Sequence, residues 1–200
     1  CGELPGLEAG VYHFGPHDFA LRRLRAGDYR EILVRASGRE SSVSQAPVTL
    51  VCTSTYWRNA WKYQARTYRH CFWDAGTLLA NALASAAVVS LPTRVVTGFV
   101  DEEVNQLLDL DTDREVALAL VPLGCSLRRI PETAPSVEPL HLATAPLSKT
   151  AVDYPTIRMM HAASSLTTAQ EVASWRGGSS GRHERPPTGQ LFPLSPGVQE

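Results

Sequence analysis

Apolar and polar residues change rhythm along this chain, and the changes separate strands from helices. Residues 10–14 (Gly-Val-Tyr-His-Phe) alternate, then meet the turn cluster Gly15-Pro16-His17-Asp18 and residues 19–21 (Phe-Ala-Leu). That pattern predicts a hairpin or meander. Over residues 28–39, Ile32, Leu33 and Ala36 form an apolar stripe on a polar segment, the spacing of a short helix. Residues 47–55 are β-branched and almost uncharged, which predicts a central strand buried on both faces. Residues 71–89 are apolar on nearly every side and rich in Ala, which predicts a core helix contacted all round and stopped by Pro92. Residues 93–97 predict another strand, with Gly98-Phe99 as the turn after it. A short helix is expected over 101–110, with Val104, Leu107 and Leu108 at helical spacing. A last core strand is expected over 115–123, closed by Gly124.

Beyond Gly124 the texture changes. Residues 125–146 are rich in Pro and read as an extended arm, and 154–175 hold one amphipathic helix marked by Ile157, Met160, Leu166 and Val172. From Arg176 onward Gly, Ser, Pro and charged residues dominate, the composition of a disordered tail or inter-domain linker. The chain thus divides into a main body over 1–130, an arm and helix over 131–175, and a tail over 176–200. Interleaved strands and helices with no repeat predict an α+β fold, a mixed β-sheet flanked by helices.

Composition narrows the function classes. Hydrophobic residues make up 44% of the chain and charged residues 20%, a globular profile. A formal net charge of -1 leaves no global field to recruit nucleic acid or an anionic membrane. No apolar run approaches the roughly 18–20 residues needed to span a bilayer, and the N-terminus carries no signal-peptide pattern. Cys1, Cys52, Cys71 and Cys125 lie far apart, without C-x-x-C or zinc spacing, so they read as reduced structural thiols with no metal. A cytoplasmic protein is expected. The chain opens Cys-Gly-Glu without Met, and its start reads as a cut.

Candidate chemistry concentrates between residues 56 and 69. Arg58, Lys62, Arg66 and Arg69 stand among Tyr56, Trp57, Trp61, Tyr63 and Tyr68. On a continuous helix the four cations would share one face, and no Asp or Glu occurs between Glu40 and Asp74 to offset them. Crowded like charges favour the neutral amine at one of them, which makes Lys62 a candidate general base with the Tyr63 phenol beside it. A solvated basic face with aromatics tucked into the core would use the same residues. So would a groove for single-stranded nucleic acid.

Several strings are recognisable as a set: residues 10–14, Trp57-Arg58-Asn59-Ala60-Trp61-Lys62-Tyr63, Tyr68-Arg69-His70-Cys71-Phe72-Trp73-Asp74-Ala75-Gly76, Thr97-Gly98-Phe99-Val100-Asp101, and Leu110-Asp111 through Pro122-Leu123-Gly124. In this order, over roughly residues 4–130, they resemble the SagB-type thiazole/oxazole dehydrogenases, FMN enzymes of the nitroreductase superfamily. The resemblance implies a nitroreductase-like sheet and an oxidation. Two hydrogens leave a thiazoline or oxazoline ring in a modified peptide, giving the azole and reduced FMN. The family's Lys-Tyr pair matches Lys62 and Tyr63, which implies proton abstraction or relay there. Thr97 and Gly98 match the loop that lies against the flavin ring. Arg128 and Arg129 match a basic position near the FMN phosphate, and Arg58 and Gly124 complete the implied cofactor-binding set. A homodimer, a modified-peptide substrate and a cyclodehydratase partner are implied as well.

The chain departs from the family's pattern in places. The usual Arg-rich phosphate segment and the Pro-Ser-Ala-Gly-like stretch have no match, so the chain opens at what would be the middle of the domain. Val89-Ser90-Leu91 stands where the family has Leu-Gly-Leu. Leu142-Ala-Thr-Ala-Pro-Leu-Ser148 and His161-Ala-Ala-Ser-Ser-Leu166 resemble the linker of tandem-domain members, implying a fragment whose tail leads toward a second domain. Two rival readings stay open. One is a general nitro- or quinone reductase fed by NAD(P)H, which needs no G-x-G-x-x-G fingerprint. The other is a non-catalytic copy that docks a leader peptide or partner enzyme.

Overall fold

A computed structural model of the chain describes residues 1–142 and 148–179. The fold is α+β. The predicted hairpin forms: β1 (Gly10–Gly15) and β2 (Ala20–Ala26) pair antiparallel from Gly10 opposite Ala26 to Gly15 opposite Ala20. Helix α1 (Arg30–Ala36) forms within the stretch 28–39 where the stripe predicted it, and a further short helix, α2 (Ser41–Gln45), follows beyond it. Gly38 and Arg39, both at positive φ, turn the chain between them.

Strand β3 (Val48–Ser54) pairs antiparallel with β4 (Val116–Leu123), from Val48 opposite Leu123 to Ser54 opposite Val116. The expectation of a central strand buried on both faces is corrected here. Among the named strands β3 pairs with β4 alone, its residues are half-buried, and Leu50 is 47% exposed. Its free side faces the hairpin across a cavity of about 480 Å³, lined by Val11, Phe14, Leu21, Leu33, Leu50 and Val51 among others. The predicted strand over 93–97 reduces to two bridges onto β4, Thr93 with Leu123 and Val96 with Leu120. The Val96 and Leu120 amides each donate to the other's carbonyl at 2.8 Å.

The core sits between β4, α1 and helix α5 (Asp101–Leu108). Asp101, Glu102 and Glu103 fill the first turn of α5, where the helix dipole favours anions. Val104 and Leu107 turn inward to meet Ile32, Leu33, Phe99 and Leu120. Asn105 is buried with them, its side-chain oxygen accepting the Ala117 amide at 2.9 Å, so the polar group is satisfied. A smaller cluster gathers Tyr56, Ala60, Cys71, Val116, Leu118 and Ile157.

The segment from Tyr56 is not the continuous helix on which the shared basic face depended. A 3₁₀ turn (Tyr56–Asn59), the short α3 (Ala60–Tyr63) and a second 3₁₀ turn (Gln64–Arg66) precede α4 (Thr67–Val88). Gln64 breaks the run at φ 54 and ψ -142. Helix α4 also corrects the expectation of a core helix contacted all round, since only Thr67, Cys71 and Ala86 are buried along it. Its 22 residues span about 33 Å at 1.5 Å each. Within the described residues its main neighbours are β3, the turns and α3 before it, and helix α6 (Pro155–Ser164), and Cys71 joins Val116 and Leu118 of β4 in the smaller cluster. The run Tyr56–Val88 is long and apolar enough, by length and composition, to cross a membrane, which corrects the expectation that no segment reaches that length.

The single helix expected over 154–175 is two, α6 and α7 (Ala169–Ser179). Between them Leu166 bridges to Val100, its amide bonded to the Asp101 carboxylate at 2.8 Å. Residues 143–147 of the string that resembles a tandem-domain linker, and the tail from residue 180, lie outside the described residues.

Candidate functional site

The predicted site residues fall into four places. Lys62 stands exposed in the last turn of α3, with its Nζ 5.1 Å from the centre of the Tyr63 ring. Tyr63 in turn stacks on His70, centroids 4.0 Å apart and planes at 24°. His70 meets Trp73 edge-on at 4.9 Å, and the Arg69 guanidinium lies 6.0 Å over Trp73. The break at Gln64 folds Tyr63 back onto the first turns of α4, which is what joins these rings into one surface ladder. His70 was missed by sequence reasoning, and the recognisable string Tyr68-Arg69-His70 was the available signal.

Arg58 lies apart from this ladder. It lines a cavity of about 290 Å³ with Trp57, Trp61, Ser148, Thr150 and Val152. Gly124 ends β4 at φ 75, a left-handed conformation suited to glycine, and its amide donates to the Pro92 carbonyl at 2.7 Å. Arg128 and Arg129 are exposed on the arm beyond it, and Arg128 Nη1 donates to the Glu3 carbonyl at 3.3 Å.

Thr97 opens onto a cavity of about 360 Å³, shared with Tyr68, Phe72, Asp101, His161 and Trp175. Here the structure assembles polar groups that the sequence kept far apart. The Tyr68 hydroxyl lies 2.8 Å from Ser164 Oγ and 3.4 Å from His161 Nδ1. Burial holds the His161 imidazole below its ordinary range, with Asp101 opposing that shift. Burial pushes the Asp101 carboxyl up, against the Leu166 amide that bonds its charged form. Burial also raises the Tyr68 phenol. His161 and Asp101 therefore approach each other in proton affinity, while the Tyr68 phenol moves away from both and stays a hydrogen-bonding group. None of Tyr68, His161, Ser164 or Trp175 was among the site residues expected from the sequence.

The nitroreductase family matches residues 16–125, more than half of the 200 residues. The chain belongs to the nitroreductase family. It is 26% identical over 122 residues to a protein of Methanocaldococcus jannaschii named as a nitroreductase, covering 61% of this chain and 60% of that one. It is 30% identical over 112 residues to the microcin B17-processing protein McbC of Escherichia coli, covering 56% of this chain and 41% of McbC. Among solved structures, a protein of Anabaena variabilis named as a nitroreductase superposes with a TM-score of 0.66 at 27% identity, over 82% of this chain and 34% of that one. The E. coli microcin synthetase McbBCD complex with truncated pro-MccB17 bound gives 0.51 at 25% identity, over 56% of this chain and 43% of the matched chain. The chain thus spans less than two thirds of the length of the relatives it matches.

Nitroreductase-family proteins are oxidoreductases that in general use FMN. The cavity beside Thr97 has aromatic walls from Phe72, Phe99 and Trp175, the lining that suits a planar ring. It does not fit the phosphate: Asp101 lines it, and among the described residues no Arg or Lys does. Arg58 lines a separate cavity, and Arg128 is engaged by Glu3. The residues expected to hold FMN are therefore not gathered into one site by this chain.

Proposed function

We propose that this nitroreductase-family chain is the main body of an FMN-dependent oxidoreductase that dehydrogenates azoline rings to azoles in a modified peptide. The observation that carries this reading is the 30% identity to McbC, a microcin B17-processing protein. FMN, when bound, would supply the two-electron acceptor that this oxidation requires. Lys62 is the group that takes the ring proton, standing exposed where a peptide can reach it. Tyr63, oriented by its stack on His70, relays that proton through its phenol. The family loop at Thr97-Gly98 and the basic positions Arg58, Arg128 and Arg129, with Gly124, make up the cofactor-binding set.

Convergence of those positions is assigned to a homodimer. The exposed apolar surface of α4, which includes Phe72, Trp73, Leu78 and Leu83, supports a second copy as its cover. A cyclodehydratase partner belongs to the same proposal, supported by the likeness to the McbBCD complex. So does a cytoplasmic setting, in keeping with four free cysteines.

The test is direct. Protein reconstituted with FMN should be yellow, absorbing near ~450 nm, and Lys62→Ala should abolish azoline oxidation while leaving the flavin bound. Full turnover by that variant would overturn the roles given to the pair. A second reading, an NAD(P)H-dependent nitro- or quinone reductase, is favoured by the M. jannaschii and Anabaena relatives. Its signature is reduction of such acceptors with no activity on azolines. A third, a non-catalytic copy in a peptide-modifying complex, is favoured by the scattered arginines and predicts protein that cannot take up FMN.

A further inference from the structure

Helices α6 and α7 lie beyond the residues that the family matches, yet they wall the cavity beside Thr97. Gly98 is buried, and a Cβ placed there would come within 2.7 Å of the six-membered ring of Trp175. The indole therefore lies against bare glycine backbone. Trp175 is itself 48% exposed, so it is laid over the loop as a cover and is not part of the core.

Its neighbours on α7 hold it down by two different means. Val172 is fully buried in the main core. Arg176 is a surface clamp: its Nη2 donates to the Ser37 carbonyl, and its Nε lies 3.4 Å from Glu40 Oε2. Glu40 is shared, since Arg94 Nη1 also reaches it at 3.3 Å. The turn carrying Trp175 and Arg176 can thus lift while Val172 stays in place, and Glu40 keeps a cation when it does.

We propose that Trp175 is a plug: the last turns of α7 cover the Gly98 backbone surface that a planar aromatic ring, of a flavin or a quinone, needs for binding at this cavity. The indole and such a ring are both flat and apolar-faced, and both pack on a peptide that has no Cβ in the way. They cannot occupy it together. This rests on reading Thr97-Gly98 as a ring-receiving loop, and it adds that ring binding and α7 docking exclude each other.

The test titrates FMN and the uncharged quinone menadione into the full chain and into Trp175→Ala, Trp175→Phe and Arg176→Ala, with circular dichroism reporting the fold. A cover closed in about ten of eleven molecules weakens ring binding about tenfold, so Trp175→Ala and Arg176→Ala should each bind menadione about tenfold tighter than the wild type. Trp175→Phe, which keeps a ring over Gly98, should stay closer to the wild type. Arg176→Ala decides the matter, because it frees α7 without enlarging the cavity; Arg176→Gln serves if that variant does not fold. A gain in Trp175→Ala alone reports added room and overturns the plug, and so does no gain in either variant. A gain for menadione with no FMN uptake by any protein upholds the plug and sinks the FMN reading.

Discussion

Strand β4 and helix α4 are both built from apolar residues, and the fold treats them in opposite ways. Seven consecutive residues of β4, Val116 to Pro122, are buried, with Leu120 wholly out of water. Along the 22 residues of α4 only three are buried, while Trp73 is 57% and Leu78 59% exposed. Apolar composition says that a segment should leave water, and not which surface will cover it. For β4 the cover lies in the same chain, from α1 and α5. For α4 the described residues supply only part of one. A bilayer would satisfy its composition, but Asp74 and Asn81 on the helix, and four cations at or just before its start, suit a protein cover better. That is why the homodimer is proposed across this face.

The comparison can be broken at either end. Leu120→Ala removes a fully buried side chain between β4 and α5 and should cost about 2–5 kcal/mol in urea unfolding. Leu78→Asp on α4 should behave otherwise. Burying an unpaired charge in an interface costs at least about 2 kcal/mol, so the proposed dimer should weaken about thirtyfold or more in sedimentation equilibrium. The subunit itself should lose less than about 1 kcal/mol, because Leu78 is exposed within it. If Leu78→Asp destabilised the subunit as much as Leu120→Ala, α4 would be a core helix after all and the contrast would vanish.

The same contrast explains what the sequence could convey. Local rhythm was enough for the β1–β2 hairpin, for α5 and for β4, because their signals (a Gly-Pro turn, helical spacing, a closing glycine) lie within a few residues of one another. Residues 47–55 and 71–89 were legible as apolar and illegible as uncovered, since cover is a property of neighbours. At the site, Lys62 and Tyr63 could be singled out from their string, whereas His70 enters only because Gln64 adopts a positive φ and folds Tyr63 back. The Tyr68–His161 contact joins residues 93 positions apart, and Trp175 meets Gly98 across a comparable stretch of chain. No spacing rule links such pairs. The amphipathic pattern over 154–175 located the helices that carry them but not the cavity they close.

That cavity is where the two regions meet, with Tyr68 and Phe72 from α4 on one side and Ala117 and Leu118 from β4 on the other. His161 therefore reports whether the junction excludes water. Burial lowers its imidazole below the ordinary 6.5, with Asp101 the opposing charge, Tyr68 the facing phenol and Ser164 beside them. The sign follows from linkage. As pH falls below about 6.5 the unfolded chain takes up this proton before the folded one does, so stability is lost until the folded imidazole is charged as well. Asp101 has the opposite sign and a more acidic window. Its folded carboxyl is raised, so its contribution is present below the ordinary 3.8 and lost as pH rises through the folded value. Urea unfolding of the wild type and of His161→Gln should therefore differ by a constant amount above about pH 7.5, set by the lost contact with Tyr68, and the wild type should then fall relative to the variant toward about pH 5.5. Curves that stay parallel across that interval would mean that His161 titrates alike in both states and that water reaches the junction freely. This is the smallest of the effects, and it tests the one point where the covered and uncovered parts of the molecule touch the candidate site together.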